Sequence, residues 1–210
     1  PPIISTNIKY LSLVKKYLKK YQVKKYNIVL EPVKKNTAPA ILATSLLANI
    51  KSSQPMIFLP SDQLIESKIK FNAAVKKYAT KISYKDIFIF GIKPKEPSDQ
   101  YGYFLRKNNS IEVSNFIEKP NKLAAKKLIK KKALWNAGIF LTTKETLVYH
   151  FLNNQKKLFS NCLNSVKKAL KKNNCIYLEK KSFNKIKPIS FDYAILEKIT
   201  NIKSIKLITD

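Results

Sequence analysis

The stretch "YNIVLEPVKKNTAPAILATSLLANIKSSQPMIFLPSD", residues 26–62, decides the fold class. "YNIVLEP" reads as a buried strand ending at Glu31-Pro32, since a short unbroken apolar run bounded by turn residues has no face to offer water. "TAPAILATSLLANIK" reads as a strongly apolar helix, with Thr37 near its N-cap and Pro39 tolerated in the first turn. "PMIFLPSD" is a second continuous apolar strand. Strand, helix and strand in this order, with uninterrupted apolar strands, is the pattern of a parallel sheet covered on both faces.

The alternation extends in both directions. Upstream, "PIIST" predicts a short strand and residues 7–21 a helix with Tyr10, Leu11, Val14 and Leu18 on one face. Downstream, a helix over 66–80 leads into the strand "KDIFIFGI". After Gly91 the texture changes: "YGYFLRK" and "SIEVSNFIEKP" predict a strand pair around the turn "KNNS". A helix over 121–131, the run "ALWNAGIFLT", helices over 143–153 and 158–172, the helical "DYAILEK" and a strand-like tail "IKSIKLIT" complete the chain. No internal repeat or long linker interrupts it. At 210 residues and 45% hydrophobic, the chain can bury one substantial core. It begins Pro1-Pro2-Ile3 without Met and reads as a piece of a longer protein.

Forty-one Lys+Arg against 13 Asp+Glu give a formal charge of +28. Such a balance can mark a polyanion binder, but the excess is almost all lysine, with Arg106 the one arginine. Sites that read phosphates or base edges in forked geometry favour Arg. The lysines are scattered in pairs on helix faces, so a solvated surface is the better reading, and neither a specific nucleic acid nor a membrane is expected as partner. Cys162 and Cys175 form no CxxC pair; two cysteines make no disulfide framework, which fits a reducing, cytoplasmic compartment. No apolar run approaches the ~20 residues that span a bilayer.

Ligands of parallel α/β sheets bind at the carboxyl ends of the strands. The strand ending at Glu31 delivers Asn36 and Thr37 to a helix N-terminus, where free N–H groups favour an anion or a polar base edge, with plain capping as the alternative. The next delivers Asp62, a candidate single carboxylate ligand for Mg²⁺ or an N-cap. Gly102, between aromatics in a strand, marks a bulge or a backbone open to close approach. Glu118 could accept sugar hydroxyls and Lys119 contact a phosphate; a surface ion pair before a turn is the bland alternative. Asn136, in an apolar strand, needs partners or costs stability. All three glycines (Gly91, Gly102 and Gly138) fall at strand ends or within these strands. His150, the one histidine, lies away from these segments and reads as structural.

The ordered blocks "EPVKKNTAPA", "FLPSDQLI", "FGIKPKEPSDQYGYF", "VSNFIEKPNKLAAKKLI", "LWNAGIFL" and "SFDYAILEK" resemble the bacterial mannose-1-phosphate guanylyltransferases, including the guanylyltransferase part of forms fused to a mannose-6-phosphate isomerase. The resemblance is collinear over residues 1–200. It implies an α/β, Rossmann-like, mainly parallel sheet with helices on both faces, of the nucleotide-diphospho-sugar transferase type. It also implies one incomplete domain, with a nucleotide-binding half at 1–92 and a sugar-phosphate-binding half at 93–210. The implied reaction joins GTP and mannose 1-phosphate to give GDP-mannose and pyrophosphate, with Mg²⁺. By resemblance, Glu31, Lys35, Asn36 and Thr37 form the nucleotide pocket and Asp62 binds the metal. Gly102, Glu118 and Asn136 hold the hexose, Lys119 its phosphate, and Asp192 lies near the sugar. Lys119 and Asp62 are the catalytic candidates. The chain departs from the family at Lys35, where Arg is usual, at Gln63 for His and at Gln100 for Gly. The resemblance places a glycine-rich triphosphate loop upstream of Pro1 and a second metal-binding Asp beyond Asp210, so residues 1–210 alone are expected to be inactive. A homo-oligomer is compatible with the sequence. The competing readings are a non-catalytic truncated relative and a lysine-rich nucleic-acid-binding module.

Overall fold

A computed structural model describes residues 1–108 and 110–207. The strands are β1 (Ile3–Asn7), β2 (Asn27–Glu31), β3 (Pro55–Phe58), β4 (Ile87–Ile92), β5 (Tyr103–Arg106), β6 (Val113–Ile117), β7 (Leu134–Thr143), β8 (Leu170–Lys172), β9 (Cys175–Tyr177) and β10 (Ile202–Lys206). The helices are α1 (Leu11–Lys20), α2 (Thr37–Leu47), α3 (Lys68–Ala79), α4 (Lys122–Lys130), α5 (Lys144–Asn154), α6 (Lys156–Lys167), α7 (Lys180–Asn184) and α8 (Phe191–Ala194). Asn109 of the expected turn, and Ile208 and Thr209 of the expected tail, lie outside the described residues.

The chain forms two compact units, each assembled from separate stretches: residues 1–50 with 151–194, and residues 51–150 with 195–210. In the first, the sheet order is β1-β2-β9-β8. β1 and β9 both run parallel to β2, and β8 runs antiparallel to β9. Helix α1 sets Leu11, Val14 and Leu18 against Ile28, Leu30 and Cys175. Helix α2 is apolar all round, so it must be enclosed; it packs against α6 and α8. The helix expected over 158–172 stops at Lys167, and residues 170–172 become β8. A turn through Asn173, left-handed at φ 51°, closes this hairpin, and β9 gains a parallel partner in β2 that a longer helix would forfeit.

In the second unit the order is β10-β4-β7-β5-β6, with β3 also on β7. β3 and β4 share a direction, as strand–helix–strand alternation demands, but they are not neighbours. β7, far downstream in sequence, lies between them and pairs antiparallel with both. Phe88, Phe90, Ile139 and Leu141 form the core beneath α3, while Tyr103, Ala125, Leu128 and Ala133 form another beneath α4. Among the described residues no helix is long and apolar enough to cross a membrane.

Candidate functional site

In the first unit, parallel pairing sets Asn7 opposite Glu31 and leaves Ser5 on the same face, two residues earlier. The Ser5 hydroxyl donates to Glu31 Oε1 at 3.0 Å, and the Asn7 amide donates to the Glu31 carbonyl at 3.1 Å. Burial pushes the Glu31 carboxyl above its ordinary range, and the Ser5 bond opposes that rise. Neither Ser5 nor Asn7 was visible as a site residue in the sequence. The parallel register, which no local pattern states, puts them there.

The N-terminus of α2 is largely spent on the protein itself. The cap is Asn36, beside Thr37; its side chain accepts from the Thr37 N–H at 2.8 Å. The Ala38 N–H donates to the Ile189 carbonyl and Pro39 has none, so three of the first four helical positions offer nothing to an anion. The capping alternative therefore describes this turn. The loop is further stitched to the chain near 184–191. The Ile189 N–H donates to the Lys35 carbonyl at 3.1 Å, the Phe191 N–H to Thr37 Oγ1 at 2.9 Å, and Lys35 Nζ to the Asn184 carbonyl at 2.8 Å. Asp192, beside Phe191, thus belongs to the same unit as Glu31, Lys35, Asn36 and Thr37.

In the second unit, one edge of β7 carries β5 at Leu134–Trp135 and β3 at Phe140–Thr143, while β4 occupies the other edge. Three sequence candidates meet where β5 gives out. The Asn136 N–H donates to the Gly102 carbonyl at 2.8 Å. A Cβ on Gly102 would stand 2.5 Å from Glu118 Oε2 and 3.5 Å from the Asn136 Cβ, so only glycine leaves room for that carboxylate. Asn136 Oδ1 accepts from the Gly138 N–H at 3.1 Å, supplying the partner that a half-buried amide needs. Gly138 is itself left-handed at φ 69°, and Pro60 packs 3.6 Å from where its Cβ would be. The segment carrying Asp62 therefore passes over β7 two residues from Asn136. Asp62 is exposed in a turn, and the N-cap of α3 is Ser67, so capping does not account for Asp62.

Lys119 follows directly. It is exposed and left-handed at φ 46°, with Pro120 behind it. A bulky residue in that region is an outlier, and a following proline disfavours the helical region further. Such strain costs about 1–3 kcal/mol and persists only where the surroundings impose it. His150 behaves as structural: 2% exposed, it holds the Lys85 carbonyl through Nε2 at 2.8 Å, and burial lowers its pKa. Among the described residues no three His, Cys, Asp or Glu side chains cluster as a metal cage. A single exposed carboxylate such as Asp62 suits Mg²⁺, which takes one or two carboxylates and completes its shell with water and phosphate oxygens.

Residues 1–183 match the family model described as nucleotidyl transferase. The chain belongs to that family. It is 31% identical over 208 residues to a mannose-1-phosphate guanylyltransferase of Salmonella typhimurium, covering 93% of this chain and 43% of the relative. It is 30% identical over 209 residues to one of Escherichia coli, covering 94% and 45%. The chain thus spans less than half the length of these curated relatives. A crystal structure named as a mannose-6-phosphate isomerase from Helicobacter pylori superimposes with a TM-score of 0.88 at 24% identity, covering 98% of this chain and 81% of that one. At that identity the likeness shows a shared α/β fold.

Proposed function

We propose that this chain belongs to a mannose-1-phosphate guanylyltransferase. The observation that carries the reading is the convergence of Gly102, Glu118 and Asn136 beside a strained, exposed Lys119, in a chain of the nucleotidyl transferase family. The curated relatives at about 30% identity are named for the same activity.

In this reading a phosphate oxygen of mannose 1-phosphate attacks the α-phosphorus of GTP. A new P–O bond forms, the α–β phosphoanhydride breaks, and pyrophosphate leaves. Glu118 and Asn136 bind hexose hydroxyls over the Gly102 backbone, and Lys119 places the sugar phosphate and offsets its charge. Glu31 offers a carboxylate oxygen to the N–H donors of guanine, with Lys35, Asn36 and Thr37 lining that side, while Asp192 is assigned to the sugar phosphate. This gives the 1–92 half to the nucleotide and most of the 93–210 half to the sugar phosphate. Asp62 would hold Mg²⁺, which would neutralise phosphate charge there.

The test is pyrophosphate release by the full-length protein with Mg²⁺, GTP and mannose 1-phosphate, run against ATP, UTP and glucose 1-phosphate. Selective release with the first pair supports the reading. No release, or a preference for another nucleotide or sugar, overturns it.

A further inference from the structure

Lys119 and Glu118 stand on one polar anchor outside their own strand. The first N–H beyond β6, that of Glu118, is received by Glu197 Oε1 at 2.9 Å, across 79 residues of sequence. Glu197 sits in a 3-10 turn (Leu196–Lys198) set against β6. That turn is itself pinned, because Ile195 and Leu196 are fully buried beside it while Glu197 is exposed. An exposed glutamate has no packing reason to be where it is; its contact is the backbone that leads into the left-handed Lys119.

We propose that Glu197 is a positioning residue for sugar-phosphate binding, holding Glu118 and Lys119 in their strained presentation by accepting the Glu118 N–H. The physical argument is that strain has to be imposed. With φ 46° at Lys119 and a proline after it, the isolated turn would relax to an extended conformation and carry the ammonium away. A carboxylate acceptor on a backbone N–H makes a charge-assisted bond, about twice as strong as a neutral one. It fixes the residue immediately before the strained one. The same bond fixes the backbone from which the Glu118 side chain reaches over Gly102. This inference rests on the proposed role of Lys119, but the contact itself can be read without any ligand.

The experiment uses the full-length protein with Glu197→Ala and Glu197→Gln, since glutamine keeps an Oε1 acceptor and loses the charge. Two readouts are taken: amide hydrogen exchange at Glu118 without ligand, and KM and kcat for each substrate. Glu197→Ala is expected to lose protection at Glu118 and to raise KM for mannose 1-phosphate about tenfold or more, with KM for GTP and the melting temperature little moved; Glu197→Gln, which keeps the acceptor and loses the charge assistance, is expected to fall between wild type and Glu197→Ala in both properties. Unchanged exchange and KM in Glu197→Ala overturn the proposal. Equal losses in both variants also overturn it, in favour of a role for the charge alone. Lost protection without a mannose 1-phosphate effect overturns the functional part and leaves the contact standing. A wild-type protein that ignores mannose 1-phosphate refutes the proposed function, and the exchange result still decides the contact.

Discussion

The loop at residues 35–38 and the turn at 118–120 each present a left-handed residue, Asn36 at φ 69° and Lys119 at φ 46°, and they hold it by different means. Asparagine visits that region at little cost because its short side chain bonds locally, as Asn36 does by capping α2. The loop around it is then tied by four further bonds to the chain at 184–191. Lysine has no such local compensation, and one carboxylate from Glu197 anchors its turn. The first loop is a preformed wall whose donors are already committed. The second leaves its ammonium exposed at the cost of strain.

This contrast can be broken most sharply at Lys119. In the full-length enzyme, Lys119→Ala is expected to cut kcat/KM for mannose 1-phosphate by about 100-fold or more, the scale of losing one charge-stabilising donor. Lys127→Ala and Lys171→Ala, on solvated surfaces, should stay within about twofold. Equal effects at all three would remove Lys119 from the site. Next in size is Gly102→Ala. Its Cβ would displace the Glu118 carboxylate, costing about 1–3 kcal/mol, and KM should rise for the sugar phosphate and not for GTP.

The stitched loop should respond in stability more than in turnover. Thr37→Ala removes the acceptor of the Phe191 N–H and should cost about 1 kcal/mol in urea unfolding, whereas Thr37→Ser should cost little. Asn36→Gly should be tolerated within a few tenths of a kcal/mol, since glycine accepts both the positive φ and the cap position. The smallest effect is a pH slope at Glu31. Its native pKa lies above the unfolded value of about 4.5, so the folded state holds the proton more tightly. Stability from this group is then fullest below pH ~4.5 and falls as pH rises through the folded pKa. Glu31→Gln should flatten that fall and raise the melting temperature at pH 8 relative to wild type, while weakening GTP binding. Parallel melting curves from pH 4.5 to 8 would refute the assignment.

Much of this was legible residue by residue. Apolar runs and helical periods report local burial, so they located β2, α2, β3 and β4 and pointed to Glu31, Asp62, Gly102, Glu118 and Asn136 at or near strand ends. Ser5, Asn7 and Glu197 carried no such mark, because a serine, an asparagine and one glutamate become informative only through the partner across the fold. The β8–β9 hairpin was hidden for a related reason: "VKKALKK" satisfies a helical period, and pairing of β9 with β2 overrides it.

The sequence by itself therefore determined the order of the elements outside the β8–β9 hairpin, the solvated lysine surface and the residue types available for phosphate and sugar chemistry, since these follow from nearest-neighbour periodicity and composition. Only the tertiary structure decided that β7 enters between β3 and β4, that the α2 N–H groups are consumed internally, and that Gly102, Glu118 and Asn136 meet at one break in the β7 edge. Those outcomes depend on register and on hydrogen bonds between residues far apart in the chain, and no local pattern encodes which distant strand completes a ladder.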